Sequence, residues 1–165
     1  MTSKRKPAHP AAEHAPLQLE HFLPYRLSIL SNTISQTIAE DYQRLYDISV
    51  TEWRVMAVLA RFEGLSAREV AERTAMDKVA VSRALARLVE AGRVSRVTHE
   101  DDKRRSVLGL TEAGWTMHDE VAPMARARER EVLAKLDADE RVWLERILDK
   151  LQPRDGERGT GNGER

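Results

Sequence analysis

Residues 66–92 read SAREVAERTAMDKVAVSRALARLVEAG and predict two short helices joined by a tight turn. Ser66 and Glu69 have the spacing of a capping box, in which each side chain satisfies a free amide at the start of the helix. Asp77 is the predicted N-cap of the second helix, and Gly92 follows its end, where a left-handed residue is common. Two helices separated by such a turn form a helix-turn-helix motif.

A β-hairpin is predicted directly after this motif. Residues 93–98 and 106–110 are short and rich in β-branched and apolar side chains, and the polar residues 99–105 join them. Because no tight-turn dipeptide separates the two strands, the tip is predicted to be a longer loop. A helix-turn-helix followed by a hairpin is a winged helix-turn-helix.

Amphipathic helices are predicted on both sides of this winged segment. Apolar residues at helical spacing predict one long helix over 17–46, and a capping box at Ser49–Glu52 opens another. A further long helix is predicted from Thr111 to about Leu136, and Asp137 opens the last helix. The predicted fold class is mainly α (α+β), in the order α-α-α-α-β-β-α-α.

The composition limits the classes of protein. The 165 residues provide for one domain, or for one domain with an extra dimerisation element, and 41% apolar residues exclude wholesale disorder. The absence of cysteine excludes disulfides, thiolate zinc sites and cysteine nucleophiles. No apolar run approaches the roughly 18 residues of a membrane span, and no hydrophobic stretch follows the charged N-terminus as in a secretory signal. We therefore expect a cytoplasmic protein without a membrane partner.

The second helix of the motif has a predicted core face and a predicted outward face. At 100° per residue, the core face comprises Val81, Ala84, Leu85, Leu88 and Val89. The outward face comprises Val79, Arg83, Ala86, Arg87 and Glu90, flanked by Ala80 and Ser82. Arginines beside small apolar side chains suit the major groove of DNA, where guanine edges accept hydrogen bonds and thymine presents a methyl group. The alternative is that Arg83 and Arg87 are ordinary solvated charges.

Positive charge is concentrated in the same part of the chain. Residues 78–105 carry eight basic and four acidic side chains, a balance of +4 in a chain whose net charge is zero. The remainder of the chain therefore carries −4 when histidine is neutral. Such asymmetry is typical of a surface that binds phosphates.

The hairpin carries the most specific motif. Asp102-Lys-Arg-Arg105 followed by Leu110-Thr-Glu-Ala-Gly114 resembles the wing of the MarR family of winged-helix transcription regulators. The resemblance extends over about residues 20–151 and includes the recognition helix and its exit. It implies that Arg104 enters the minor groove and that Asp102 orients an arginine there, which agrees with the strongly negative potential of narrow minor grooves. The alternative is a solvated run of charges in a hairpin turn.

The predicted DNA-binding residues lie on the helix-turn-helix and on the wing. They are Ser66, Lys78, Val79, Ala80, Ser82, Arg83, Arg87, Arg96, Asp102, Lys103, Arg104 and Arg105. The expected partner is double-stranded DNA with a pseudo-palindromic operator, because a two-fold dimer presents two identical recognition helices.

The resemblance further implies a homodimer in which the first helix and the last two helices of two copies interlock. The apolar faces of these helices fit this expectation, since so small a central domain cannot cover them fully. The predicted segments are a disordered arm (1–16), an N-terminal dimerisation helix (17–47), a winged helix-turn-helix DNA-binding domain (48–111), C-terminal dimerisation helices (112–152) and a disordered tail (153–165).

The small-molecule pocket of the family lies between the dimerisation helices and the DNA-binding domain. Candidate effector-binding residues of this chain are His21, Tyr25, Arg26, Ser28, Ser31, Trp53, Arg54, Trp115 and His118. Trp53 and Arg54 pair a flat apolar surface with a bidentate donor, which suits an aromatic carboxylate. Residues 23–28 and 52–55 resemble regulators of aromatic-acid catabolism, whose effectors are acids or their CoA thioesters. The alternatives are a core role for Trp53, a surface salt bridge for Arg54, and surface or interface positions for His21 and His118.

The expected function is a homodimeric repressor of adjacent genes that a small organic effector releases. An enzyme is not expected, because the chain has no G-x-S-x-G, no H-E-x-x-H and no glycine loop after a strand. The five histidines are scattered, so neither a metal site nor a cofactor is expected. Two alternatives stay open, namely a ligand-independent architectural DNA-binding protein and a metal-responsive regulator of the same fold.

Overall fold

The computed structural model describes residues 16–98 and 106–152. The elements are a 3-10 helix (Leu19–His21), α1 (Leu23–Tyr46), α2 (Val50–Arg61), α3 (Ala67–Thr74), α4 (Lys78–Glu90), β1 (Val94–Thr98), β2 (Ser106–Leu110), α5 (Glu112–Leu133) and α6 (Ala138–Leu151). Apart from the short 3-10 helix, this order confirms the predicted α-α-α-α-β-β-α-α. Residues 16–33 and residues 34–152 form two compact units, whose boundary lies within α1.

The predicted capping residues begin four of the helices. Ser49, Ser66 and Asp137 each form a capping box with the glutamate three residues later, at the starts of α2, α3 and α6. Asp77 accepts hydrogen bonds from the amides of Val79 and Ala80 and so begins α4. These bonds satisfy amides that have no partner within the helix, which fixes where each helix begins.

The core of residues 34–152 lies where the second half of α1 meets α2, α3, α4, α5 and the hairpin. Its largest fully buried side chains are Tyr42, Ile48, Met56, Leu88, Val55, Val70, Val81 and Val121. The antiparallel strands pair from Val94 with Leu110 to Thr98 with Ser106, and Leu65 adds a bridge to Leu108. The hairpin is therefore attached to the start of the helix-turn-helix by the backbone hydrogen bond from the Leu108 amide to the Leu65 carbonyl, as well as through side chains.

A close backbone contact holds α5 against the end of the helix-turn-helix. The Thr111 hydroxyl donates to the Gly92 carbonyl at 2.7 Å, and the Thr111 amide donates to the Arg93 carbonyl at 3.1 Å. A side chain at Gly114 would overlap that same Arg93 carbonyl oxygen. The glycine of the sequence motif is thus required by proximity, since its Cα faces backbone at a distance that excludes a methyl group.

Three details of the predicted elements were wrong. The single helix over 17–46 is interrupted, because Phe22 is extended and caps the 3-10 helix before α1 begins at Leu23. α5 ends at Leu133 rather than near Leu136. Val89 was assigned to the core face of α4 but is 40% exposed, because it lies at the edge of that face.

The last helix contrasts with the core. No residue of α6 is buried by the described residues of the chain, although the sequence of this helix is amphipathic. Its exposed large apolar side chains are Val142, Trp143, Ile147, Leu148 and Leu151. Among the described residues, no helix combines the length and the hydropathy needed to cross a membrane.

Candidate nucleic-acid interface and neighbouring cavity

The outward face of α4 is exposed as predicted. Buried Val81, Ala84, Leu85 and Leu88 hold the opposite face against the core. Val79, at the start of the helix, is 56% exposed, and Arg83 is exposed one turn later. An exposed valine and an arginine on the same short helix offer an apolar contact and a bidentate donor, the two kinds of contact that read base pairs in the major groove.

Arg87, also predicted to contact DNA, forms an ion pair within the protein. Its Nε lies 3.2 Å from Oε1 of Glu52, a residue of the first turn of α2 whose side chain is only 3% exposed. The Arg87 side chain remains 60% exposed, so the pair lies at the edge of the core. Sequence reasoning had identified Glu52 only as a capping residue and had missed this second contact.

The remaining predicted DNA-binding residues fall into two groups. Lys78, Ser82 and Arg96 are exposed, Ala80 is half-buried, and the Ser66 hydroxyl donates to Glu69 in the capping box. Asp102, Lys103, Arg104 and Arg105 lie outside the described residues, as do nearly all of the arm and all of the tail predicted at the two ends. An open groove of about 440 Å³ runs between α4 and β1, and Ser82 and Arg96 belong to its lining.

A smaller cavity of about 210 Å³ lies between the second half of α1 and the first half of α2. Its lining residues are Ser35, Ile38, Tyr42, Val50, Trp53, Arg54 and Ala57. Nη2 of Arg54 donates to the Ser35 hydroxyl at 3.1 Å. The cavity therefore combines an apolar lining with one guanidinium, and it contains two of the predicted effector-binding residues.

Tyr42 brings an unpaired polar group to this cavity. Its side chain is fully buried, and within the described part of the chain its hydroxyl has no hydrogen-bond partner. Burial raises the pKa of Tyr42 to about 12, and the nearby charge of Arg54 opposes that rise only in part. A buried hydroxyl without a partner costs about 1–3 kcal/mol, so it is a position where a ligand atom would be favoured.

An aromatic cluster extends from the cavity to α5. The Trp53 ring lies 5.9 Å from the Tyr42 ring and stacks on His118 at 5.7 Å. His118 in turn meets the edge of Trp115 at 5.5 Å, and its Nδ1 lies 3.1 Å from Oδ1 of Asp119. The structure thus brings together the predicted residues Trp53, Trp115 and His118.

The other predicted effector-binding residues belong to the first unit. His21 ends the 3-10 helix, and Tyr25, Arg26, Ser28 and Ser31 lie on the first turns of α1. Their role in a pocket stays a prediction.

Two cavity residues were missed by sequence reasoning. Tyr42 belonged to the apolar stripe of the first helix, which was expected to face a dimer partner, and Ser35 lies beside that stripe. The available signal was the hydroxyl group of Tyr42, because a buried phenol normally finds a partner. As for metals, no group of three or more potential ligands comes together in residues 16–98 and 106–152.

Comparisons with known proteins agree with this geometry. Residues 46–105 match the sequence profile of the MarR family. The chain is 27% identical to the HTH-type transcriptional repressor Mb2911 of Mycobacterium bovis over 141 residues, which are 85% of this chain and 96% of that protein.

Two solved structures are similar over most of their length. A MarR/EmrR family transcriptional regulator from Acinetobacter sp. ADP1 has a TM-score of 0.74 and 27% identity, covering 82% of this chain and 95% of that one. A mutant MarR from Escherichia coli, complexed with operator DNA, has a TM-score of 0.70 and 26% identity, covering 84% and 100%.

Proposed function

We propose that the chain is a winged-helix transcription regulator of the MarR family that binds operator DNA as a homodimer and represses adjacent genes until a small organic anion releases it. It is a regulator and not an enzyme. The observation that carries the DNA-binding part of the proposal is the exposed face of α4. Val79 and Arg83 are exposed there, and the opposite face of the helix packs against the core.

In the proposed complex, α4 lies in the major groove. Arg83 donates to a guanine edge or a phosphate, and Val79 contacts a thymine methyl group. Arg104, which lies outside the described residues, is proposed to enter the minor groove from the wing. A two-fold dimer then requires two half-sites whose centres are about one helical turn apart, on the order of 10 bp.

The proposed homodimer is supported by α6. Its half-exposed Val142, Ile147 and Leu151 form an apolar surface that the described residues of one chain do not cover. Interlocking with the same helix of a second copy would bury these side chains, since a two-fold interface pairs one surface with itself. The relative from Escherichia coli with operator DNA offers a precedent for the DNA-bound state.

The proposed effector is an aromatic carboxylate bound in the cavity beside α2. Its ring would lie against Trp53, its carboxylate would take the Arg54 donor now held by Ser35, and a polar ring substituent would pair with Tyr42. The volume of about 210 Å³ suits a single ring. A CoA thioester would place only its acyl portion there.

The energetic requirement of this switch is modest. Relief of repression by tenfold needs about 1.4 kcal/mol of differential affinity between the free and the DNA-bound conformations. One hydrogen bond to a charged group contributes about 1.5–3 kcal/mol, so the guanidinium–carboxylate pair alone is sufficient in magnitude.

The decisive experiment is a binding titration with DNA from the region upstream of the gene, in which Arg83→Ala is compared with Arg126→Ala. Arg126 is an exposed residue of α5, so its substitution removes one positive charge outside α4. Arg83→Ala should weaken binding and relax selection at one base pair by about 1–3 kcal/mol, whereas the control should keep the sequence preference. Equal losses on operator and unrelated DNA would show that Arg83 does not read sequence.

Ligand dependence separates the proposal from its two alternatives. Benzoate should release the complex, whereas an architectural DNA-binding protein would hold DNA equally tightly with or without it. A metal-responsive regulator would respond to zinc ions and to a chelator instead.

A further inference from the structure

The carboxylate of Glu52 connects two helices that have different tasks in the proposed function. Its Oε2 accepts from the Ser49 amide at 2.8 Å and from the Ser49 hydroxyl at 2.6 Å, which completes the cap of α2. Its Oε1 lies 3.2 Å from Nε of Arg87, in the third turn of α4. One buried carboxylate thus joins the start of α2 to the helix proposed to read DNA.

The buried carboxylate of Glu52 requires its ion pair with Arg87. A charged carboxylate that leaves water is expensive unless it is paired and hydrogen-bonded. Glu52 is 2% exposed as a residue, and Arg87 is the only cation that forms an ion pair with it in the described part of the chain. A shift of Glu52 must therefore move Arg87 with it or leave a buried charge without its counterion.

The next two residues of the chain face the cavity. Trp53 and Arg54 follow Glu52 directly in the first two turns of α2 and line the cavity proposed for the effector. Residues so close together in one helix turn move as a unit, because their backbone positions are fixed by the same hydrogen bonds. A displacement of Arg54 is therefore expected to displace Glu52 as well.

We propose that Glu52 is a positioning residue that transmits the state of the cavity to the recognition helix through its ion pair with Arg87. The inference rests on the proposed function and adds its route of regulation. A ligand that draws Arg54 away from Ser35 turns the start of α2, and the Glu52–Arg87 pair shifts α4 relative to the DNA. Arg87 acts from within the protein, and Arg83 remains the residue that reads the base pair.

Two simpler interpretations make different predictions. If Glu52 only caps α2, then Ser49→Ala should have the same effect as Glu52→Gln, because both break the capping box. If Arg87 only contacts a phosphate, then Glu52→Gln should strengthen DNA binding, because it removes a negative charge that competes with DNA. A positioning role predicts a loss from Glu52→Gln that Ser49→Ala does not reproduce.

The test is a double-mutant cycle on binding to the upstream DNA, measured without ligand. Glu52→Gln and Arg87→Gln should each weaken binding about 3- to 10-fold, and the double variant should be no weaker than either. Ser49→Ala should change binding less than twofold. Glu72→Gln, which removes the acidic partner of Arg68 in an exposed pair, is the matched control for loss of one negative charge. Additive losses, tighter binding by Glu52→Gln, or equal effects of Ser49→Ala would overturn the proposal.

Two further measurements separate its failure from that of the proposed function. Benzoate should weaken DNA binding of the unsubstituted protein about tenfold but that of Glu52→Gln less than twofold, while it quenches tryptophan fluorescence equally in both. If benzoate has no effect on DNA binding of the unsubstituted protein, the proposed effector class is wrong. The double-mutant cycle would then still test whether Glu52 positions α4. Hydrogen exchange needs neither DNA nor ligand. Glu52→Gln and Arg87→Gln should both speed exchange of amides 78–90, and unchanged rates there would refute the coupling.

Discussion

α4 and α6 are helices of similar design with opposite surroundings. They have 13 and 14 residues, each begins at an aspartate N-cap, and each has an amphipathic sequence. α4 buries four apolar residues against the rest of its own chain, whereas α6 buries none among the described residues. The comparison shows that an amphipathic pattern predicts that a face will be covered but does not reveal which molecule covers it.

The strongest test of this difference is to remove α6. A chain that ends at Asp137 should lose the dimer and with it the joint binding of two half-sites, which lowers operator affinity by roughly 10²- to 10⁴-fold. Sedimentation velocity and DNA titration measure the two losses. A chain that ends at Gln152 is the control, because it keeps α6 and removes only residues 153–165. A truncated protein that sediments as a soluble dimer would place the interface elsewhere.

Single substitutions should distinguish the two helices by their dependence on concentration. Leu88→Ala empties a fully buried position in α4 and should lower the free energy of unfolding by about 2–5 kcal/mol. Because that contact lies within one chain, the loss should be the same at every protein concentration. Ile147→Ala in α6 should destabilise through the dimer, so its loss should be largest where the unsubstituted protein is dimeric and should shrink as both proteins dissociate on dilution. Urea unfolding at two concentrations checks both, and matching behaviour would contradict the comparison.

The starts of four helices were predictable from local sequence. Capping at Ser49, Ser66, Asp77 and Asp137 depends on residues within three positions of each other, and all four caps are confirmed. The break at Phe22 was missed, because the apolar spacing continues through the 3-10 helix and gives no signal of it. Helical periodicity also assigned Val89 to the core, since it measures angle around the helix and not the extent of the neighbouring surface.

The candidate sites were predictable only where residues adjacent in sequence carried the signal. Trp53 and Arg54 were identified because an aromatic ring beside a guanidinium already suggests a ligand. The ion pair of Glu52 with Arg87 joins residues 35 positions apart, and only the packing of α2 against α4 reveals it. The Tyr42 hydroxyl likewise shows itself only in the folded chain, where it is buried without a partner among the described residues, because its helical position alone indicated an apolar face for a dimer partner.

The cavity between α1 and α2 is the site proposed for the effector. Arg54→Ala should abolish most of a tenfold release by benzoate, about 1.4 kcal/mol, because it removes the charged donor. Operator affinity without ligand should change far less, since Arg54 lies away from the outward face of α4. Titration of DNA with and without benzoate measures both. Poor DNA binding with a normal benzoate response would instead assign Arg54 to the scaffold.

The smallest expected effect on stability and binding is at Tyr42, whose hydroxyl is buried in the core of residues 34–152. Tyr42→Phe removes a buried hydroxyl that has no partner among the described residues, so it should raise the free energy of unfolding by up to about 1 kcal/mol at neutral pH. The same change should weaken a ring ligand that carries a hydroxyl, such as 4-hydroxybenzoate, and leave benzoate nearly unaffected. Thermal unfolding and fluorescence titration measure these two opposite effects.

The pH dependence of the Tyr42→Phe effect tests its cause. Burial raises the pKa of Tyr42 to about 12, above the ordinary value near 10, so folding disfavours the ionised form. The unfolded chain loses this proton first as the pH rises, and the unsubstituted protein therefore loses stability between pH 10 and 12. Tyr42→Phe has no such proton, and its advantage should widen over that interval. A constant difference between the two proteins in the free energy of unfolding from pH 7 to 12 would mean that the phenol is hydrated. Tyr42 would then be a solvent-accessible residue and not part of the buried core.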